Sequence, residues 1–372
     1  MPSATVPIST PIREPIGPNP STAPGSCKVN TDGSTRQEPF TLASEVISPA
    51  LQVQLDTFKG LLEQQGYELS NPAENTDDTT LLRFLTAQKF NPDQALQQYH
   101  HVQTWRKEHD IRSFYQNVDV DYYEETRKMY PQWIGRRDND GHAIYVFPVR
   151  HLTKKRLDAY LKKISSCPSS KAHRPSNLSP EDLHFHALYE NLLHFVFPLV
   201  SELPRPDMSR AISASTHIVD VSGVSIRQFW SIRKYLQQAS VTATTHYPET
   251  LGKVFVVGAP AFFKSIWDLI SQWFDPVTRS KIFLLSSSEA SEVLQKYIDP
   301  ANLPAEYGGV LKWEWQDLPN LDADARRLVD NLYEKTDQGE LFAKGPVIFE
   351  DDCIKLLGTI NGKPRRNDFC PR

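Results

Sequence analysis

The chain has no apolar run near the ~18 residues that a membrane-spanning helix needs. Its first residues carry no apolar signal core either, so any membrane contact is expected to be peripheral. P-loop, GxGxxG and GxSxG patterns are all missing, which removes the common nucleotide, dinucleotide and serine-hydrolase signatures. The four cysteines (Cys27, Cys167, Cys353, Cys370) form no CxxC pair and no zinc spacing, and they read as free thiols in a reducing compartment. Basic residues are not in excess: a net charge of −4 argues against a general nucleic-acid binder.

What is present is a globular profile, 39% hydrophobic and 23% charged, with length enough for two lobes or one large lobe with extensions. Seven of the 28 prolines fall in the first 25 positions among Ser, Thr and Gly, a composition that cannot offset its ordering entropy. From about Ser48 the pattern turns helical: Leu51, Val53, Leu55, Phe58, Leu61 and Leu62 recur at helical spacing. DDTTLLRFLTAQKF (77–90) follows, with Asp77 and Asp78 at a helix start, and a third helix follows Asn91 and carries Ala95, Tyr99, Val102 and Trp105. Near Gly141 the period changes. Strands are expected at 143–149, 217–224, 253–260 and 281–285, with helices at 188–200, 225–238 and 260–274 between them. Such alternation implies parallel pairing through right-handed crossovers. The stretch 165–182 reads as a surface insertion. The tail after Asp317 shows one helix near 321–335 and then unpatterned chain.

Residues 260–274 hold Phe262, Phe263, Ile266, Trp267, Ile270, Trp273 and Phe274, apolar on more than one helix face. A polar group, Asp275 to Lys281, separates this helix from the apolar strand 282–285. A greasy helix, a polar rim and a buried strand suit a protein that hides an amphiphile, although each also has a plain packing reading. Thr278 and Lys281 could both donate to a phosphate oxygen, or they could be a turn cap and a solvated strand start. Glu249 could accept from ligand hydroxyls, or it could be a first-turn charge after Pro248. His186, Glu190 and His194 share one helix face and form a possible metal group, with a polar helix edge as the commoner reading. Ser222 stands near a strand-to-helix elbow but lacks the preceding glycine. Gly308 and Gly309 read as a tight turn rather than a phosphate cradle.

Taken together and in order, DDTTLLRFLTAQKF, YPQW…DNDGHAIYVF (130–147), HIVDVSGVS, HYPETLGKVFVVGAP, FDPVTRSKIFLL and NLPAEYGGV (302–310) resemble the CRAL-TRIO lipid-binding proteins. Within them, the chain resembles the yeast-type phosphatidylinositol transfer proteins. The resemblance spans roughly 50–312. It implies an α/β fold: an all-helical N-terminal lobe packed on an α/β lobe, with a mostly parallel sheet and a lipid cavity under a gate helix at 260–274. The expected organisation is a disordered segment over 1–40, the helical lobe over 41–120, the lipid-binding lobe over 121–315 and a C-terminal extension over 316–372. Gate residues would be Phe262, Phe263, Ile266, Ile270 and Phe274.

The resemblance also implies a phosphatidylinositol headgroup site at Lys89, Glu249, Thr278 and Lys281, with Gln88 where the family favours a basic residue. For a second lipid such as phosphatidylcholine, Ser215 and Tyr145 match. His217 replaces a threonine and Ile134 a tyrosine, the latter loss removing a cation–π contact worth about 2 kcal/mol. A sterol, another neutral lipid or haem on His217 are the alternatives for this second ligand. The implied protein has no catalytic or metal residues and no cofactor other than bound lipid. It would be a monomeric, cytoplasmic carrier touching Golgi or endosomal membranes transiently, with no nucleic-acid partner. A carrier or sensor of another hydrophobe and a hydrolase or metal enzyme are the competing functions.

Overall fold

The structure is a computed structural model that describes residues 49–69, 75–173, 176–259, 263–273, 276–336, 339–350, 353–365 and 367–369. The proline-rich segment 1–40 lies outside the described residues, as do Phe262 and Phe274.

Three helices open the fold: α1 (Pro49–Gln64), α2 (Asp78–Ala87) and α3 (Pro92–Glu108). Their starts are chemically marked. Asp77 accepts from the Thr80 N–H at 2.9 Å and Asn91 from the Gln94 N–H at 3.0 Å, each satisfying a donor that a helix leaves open. Leu55, Phe58 and Leu62 pack with Leu81, Phe84, Leu85, Tyr99 and Val102 into one core, while Val53 of the expected stripe points outward. Two further helices, α4 (Ile111–Asn117) and α5 (Val120–Arg127), lead into the sheet.

The sheet has order β1-β2-β3-β4-β5, formed by β1 (Gln132–Arg137), β2 (Ala143–Pro148), β3 (Ser215–Asp220), β4 (Leu251–Val257) and β5 (Ile282–Leu285). β1 pairs antiparallel with β2 and the rest is parallel. Tyr145, His217, Val254 and Ile282 lie side by side across the four parallel strands. Their face is covered by α6 (Lys154–Ile164), α8 (Pro180–Asn191), α10 (Ile226–His246) and α11 (Phe263–Ile270), with the short α7 (Pro168–Ala172) beneath α8. The opposite face buries Ile144, Ile218, Phe255 and Leu285 under α13 (Ala290–Tyr297) and the 303–313 segment; α12 (Pro276–Ser280) sits just before β5. The expected helix over 188–200 is instead the end of α8, a π-helical turn over Leu192–Val196 and a short α9 (Phe197–Ser201).

Two expectations from the sequence need amending here. The stretch 165–182 lies largely at the surface, as expected, but it is anchored: Cys167 is fully buried, and the Ser170 hydroxyl lies 3.0 Å from His184 Nε2. The tail is not unpatterned. After α14 (Ala323–Leu328) come β6 (Tyr333–Thr336) and β7 (Gly339–Phe342), a hairpin. Then β8 (Val347–Glu350), β9 (Cys353–Leu356) and β12 (Asn367–Phe369) form an antiparallel sheet, with a small β10–β11 pair (Thr359–Ile360, Lys363–Pro364) between. Four-residue strands are too short to show a period. Cys353 is disulfide-bonded, against the free-thiol reading, whereas Cys167 is free.

The tail belongs to the core. Phe342, Val347, Ile354 and Leu356 pack with Trp133, Phe195, Leu199 and Val200. A bulge at Gly135 (φ +85°) lets the Asn320 backbone approach so closely that any Cβ there would sit 2.7 Å from it. Truncating Phe342 to Ala, with its ring 6.1 Å from Trp133 and 6.0 Å from Phe195, is expected to cost about 3 kcal/mol or more. Urea unfolding checks this; a change within error would show that the tail contributes nothing to stability.

Candidate lipid-binding site

The sheet face under α8, α10 and α11 is incompletely filled. Val219, Ile282, Leu236, Ala239, Ala243, Trp267 and Ile270 are only half-buried although they point into the fold. On β5, Leu284 is 40% exposed, while Phe255 and Leu285 on the opposite face are closed off. Interiors normally pack without such gaps, so half-covered apolar side chains on an inner face mark a space that an apolar guest can fill. Phe263 and Ile266 of α11 are buried against this face and Ile270 is half-buried.

A small cavity of about 60 Å³ lies beside Tyr145, bordered also by Tyr123, Glu124, Arg127, Trp133, Leu188, Phe195 and Phe342. Here the expectation for Ile134 is corrected. Ile134 lies on the other sheet face with Ile144 and Val146. Its neighbour Trp133 pairs across the strands with Tyr145 and lines the cavity. The Trp133 indole N–H has no partner among the described residues. His217 stacks on Tyr145 (5.1 Å, 10°) and its Nε2 lies 2.9 Å from the Ser215 hydroxyl. The ring keeps accessible surface, yet burial pushes its pKa down to about 4, as expected for a group bordering an enclosed space. It is therefore neutral at physiological pH and does not repel a bound cation.

At the mouth, Lys281 Nζ donates to Glu249 at 2.6 Å and to the Leu251 carbonyl at 3.1 Å. Thr278 on α12 accepts the Lys281 backbone N–H at 3.1 Å through its carbonyl. Glu249 has φ +57°, a left-handed conformation that costs a non-glycine residue about 1–2 kcal/mol. Lys89 (φ +52°) and Phe90 (φ +61°) share this conformation just past the end of α2, and Lys89 is exposed. The Gln88 side-chain amide donates to Gln98 at 2.8 Å. Thus Glu249, Thr278 and Lys281 are brought together, whereas no contact joins Gln88 or Lys89 to them.

One residue went unread in the sequence. Arg83 on α2 is buried and donates to Thr80 (3.2 Å) and to the Pro248 carbonyl (3.4 Å), next to Glu249. Burial lowers its pKa to about 10 while Asp77 and Glu249 oppose that shift. A charged side chain on the apolar face of LLRFL was the available signal.

The alternative chemistries lose their groups to structure. Both Glu190 oxygens are held by Arg106 (2.6 and 2.7 Å), His186 Nδ1 is 2.9 Å from the Tyr247 hydroxyl, and His194 is 3.3 Å from Glu190. Among the described residues no histidine hydrogen-bonds Ser222, whose hydroxyl packs against Gly258. Asp138, Asp140 and His142 do converge, but the Lys253 ammonium sits 2.7 Å from Asp140 and 3.5 Å from Asp138, supplying the cation itself. Gly308 (φ +94°) forms a turn against Ser291. Among the described residues no helix is long and apolar enough to cross a membrane.

Comparison with known proteins agrees with this layout. Residues 127–309 match the CRAL/TRIO domain and residues 54–101 the CRAL/TRIO N-terminal domain. The chain is 34% identical to the Sec14 cytosolic factor of Schizosaccharomyces pombe over 258 residues, 69% of this chain and 82% of that one. It is 29% identical to the phosphatidylinositol/phosphatidylcholine transfer protein SFH9 of Arabidopsis thaliana over 65% of this chain and 38% of that one. The crystal structure of Sfh5 superposes with a TM-score of 0.50 at 20% identity, covering 75% of this chain and 96% of that one, a likeness of fold. With both domains matched in order and the identity sustained over most of its length, the protein belongs to the CRAL-TRIO family.

Proposed function

We propose that the protein is a non-enzymatic carrier that binds phosphatidylinositol and exchanges it for a second phospholipid at membranes. The observation that carries this reading is the Lys281–Glu249–Thr278 group set at the rim of a half-filled apolar face. Acyl chains buried against that face gain ~25 cal/mol per Å² of apolar area. The Lys281 ammonium supplies a charge-assisted donor to a phosphodiester, and Glu249 accepts from inositol hydroxyls. Lys281 is held by Glu249 in the structure, so a phosphate would share the ammonium with that carboxylate as Glu249 turns to the inositol hydroxyls. Backbone strain at Glu249 and Lys89 is of the kind that collects at ligand sites.

For the second lipid, Trp133 and Tyr145 offer ring faces to a choline, worth roughly 0.5–2 kcal/mol, and the neutral His217 leaves that site without a competing charge. Phosphatidylcholine is therefore the second ligand we assign. Delivery to Golgi or endosomal membranes from the cytoplasm, as a monomer, completes the proposal; the name "cytosolic factor" of the fission-yeast relative supports the soluble side of it. Native mass spectrometry of the purified protein tests the reading: one phospholipid per chain, displaced by added phosphatidylinositol, is expected. A lipid-free chain that takes up none would contradict it.

A further inference from the structure

The outer surface beside the gate carries a concentrated charge that the overall composition hides. α10 has no acidic residue in its 21 positions, and its solvent side presents Arg227, Trp230, Ser231, Lys234, Gln237, Gln238 and Val241. Trp230 is 47% exposed and Ile226 51%, and Arg233 stacks over Trp230 at 4.6 Å. α6 lies alongside. Its Leu157, Tyr160 and Ile164 share a core with Phe229, Ile232 and Tyr235 of α10, and Gln228 Nε2 donates to the carbonyls of Val149, Arg150 and Leu152 that lead into α6. With its inner side fixed, α6 turns Lys154, Lys155, Lys162 and Lys163 outward.

The neighbouring acids neutralise only part of this field. Asp158 takes Lys154 (2.8 Å), Glu125 takes Lys163 (3.4 Å), and Asp182 accepts from Gln238 (3.1 Å) at the far end. Lys155, Arg156, Lys162, Arg227 and Lys234 have no carboxylate within ion-pair distance among the described residues. An exposed indole and isoleucine thus stand amid unneutralised cations on a protein whose net charge is −4. α10 also contacts the 271–273 turn that follows α11, so this face lies next to the expected gate.

We propose that the α6–α10 face is the membrane-docking surface and that its partner is an anionic bilayer. This rests on the carrier reading above. The cations meet acidic headgroups and Trp230 and Ile226 enter the interface, where aromatic rings and long cationic side chains are both at home. Gate and bilayer are then brought edge to edge, which couples docking to lipid exchange.

Flotation of the full-length protein tests the proposal, using vesicles of phosphatidylcholine alone and vesicles of equal parts phosphatidylcholine and phosphatidylserine. The wild type is expected to float with the anionic vesicles only, and less so as salt rises. A Lys155→Glu/Lys162→Glu/Arg227→Glu variant is expected to lose about tenfold or more in partitioning, since each basic residue contributes at the surface, and Trp230→Ala several-fold. Both should keep wild-type thermal melting and wild-type bound lipid. Equal flotation of wild type and triple variant would overturn the proposal. So would a wild type that ignores anionic vesicles, which would leave the face to an acidic protein partner. A chain that carries no phospholipid yet docks through these residues would sink the carrier reading and uphold this one.

Discussion

Replacing Thr278 and Lys281 together with Ala is expected to remove phosphatidylinositol from the protein while leaving phosphatidylcholine bound. Lys281 anchors two elements at once, through Glu249 and the Leu251 carbonyl, and Thr278 stands one turn before it. Hydrogen bonds to a charged group contribute about 1.5–3 kcal/mol each, so losing both predicts about a hundredfold or greater fall in phosphatidylinositol affinity. The substitution also leaves Glu249 part-buried without its partner. Pairing Lys281→Met with Glu249→Gln separates the two effects: stability should recover and phosphatidylinositol binding should not. Competition between the two lipids, read by mass spectrometry, measures this. Undiminished phosphatidylinositol occupancy in the double Ala variant would move the headgroup site elsewhere.

The second large effect is on stability. Arg106 of α3 and Glu190 of α8 join the helical lobe to the α/β lobe through two short hydrogen bonds in a nearly dry environment. Arg106→Met is expected to cost about 3–5 kcal/mol at neutral pH, because Glu190 would be left as an uncompensated buried charge. Adding Glu190→Leu should restore most of that. The pH dependence has a defined sign. Burial alone would raise the Glu190 carboxyl, but Arg106 beside it, with help from His194, holds it well below the usual range. A carboxyl depressed on folding stabilises fully above its unfolded pKa of about 4.3 and loses that contribution as pH falls through the folded value. The stability gap between wild type and Arg106→Met should therefore be widest near neutrality and narrow below about pH 4. Urea titrations at several pH values check it; a gap independent of pH would show that the pair is not what the substitution removes.

How far the sequence could be read depends on the range of the interactions concerned. Local chemistry was legible: Asp77 and Asn91 cap the helices that follow them, and the apolar runs in β4 and β5 are parallel strands as they read, β4 buried over Val254–Val257 but β5 buried only at Leu285. Thr278, Lys281 and Glu249 each had a ligand reading and a plain one in the sequence; their convergence depends on Glu249 and Lys281 meeting across a separation of 32 positions. Misreadings arose where one residue alters the phase. The bulge at Gly135 accompanies the arrangement in which Trp133, not Ile134, faces the chamber, and the π-helical turn at Leu192–Val196 breaks the regular helical period. Arg83, Arg106 and the strands of the tail act through partners far away in sequence, which no window of neighbouring residues can show.

Transfer of labelled phosphatidylinositol from donor to acceptor vesicles by the wild-type protein is the most direct measurement of all. A carrier should move the label at a rate that rises with protein concentration, leave both vesicle populations intact and return phosphatidylcholine in the other direction. Label that stays in the donor vesicles, with protein folded and docked, would show that this chamber does not ferry phosphoinositide precursors between membranes.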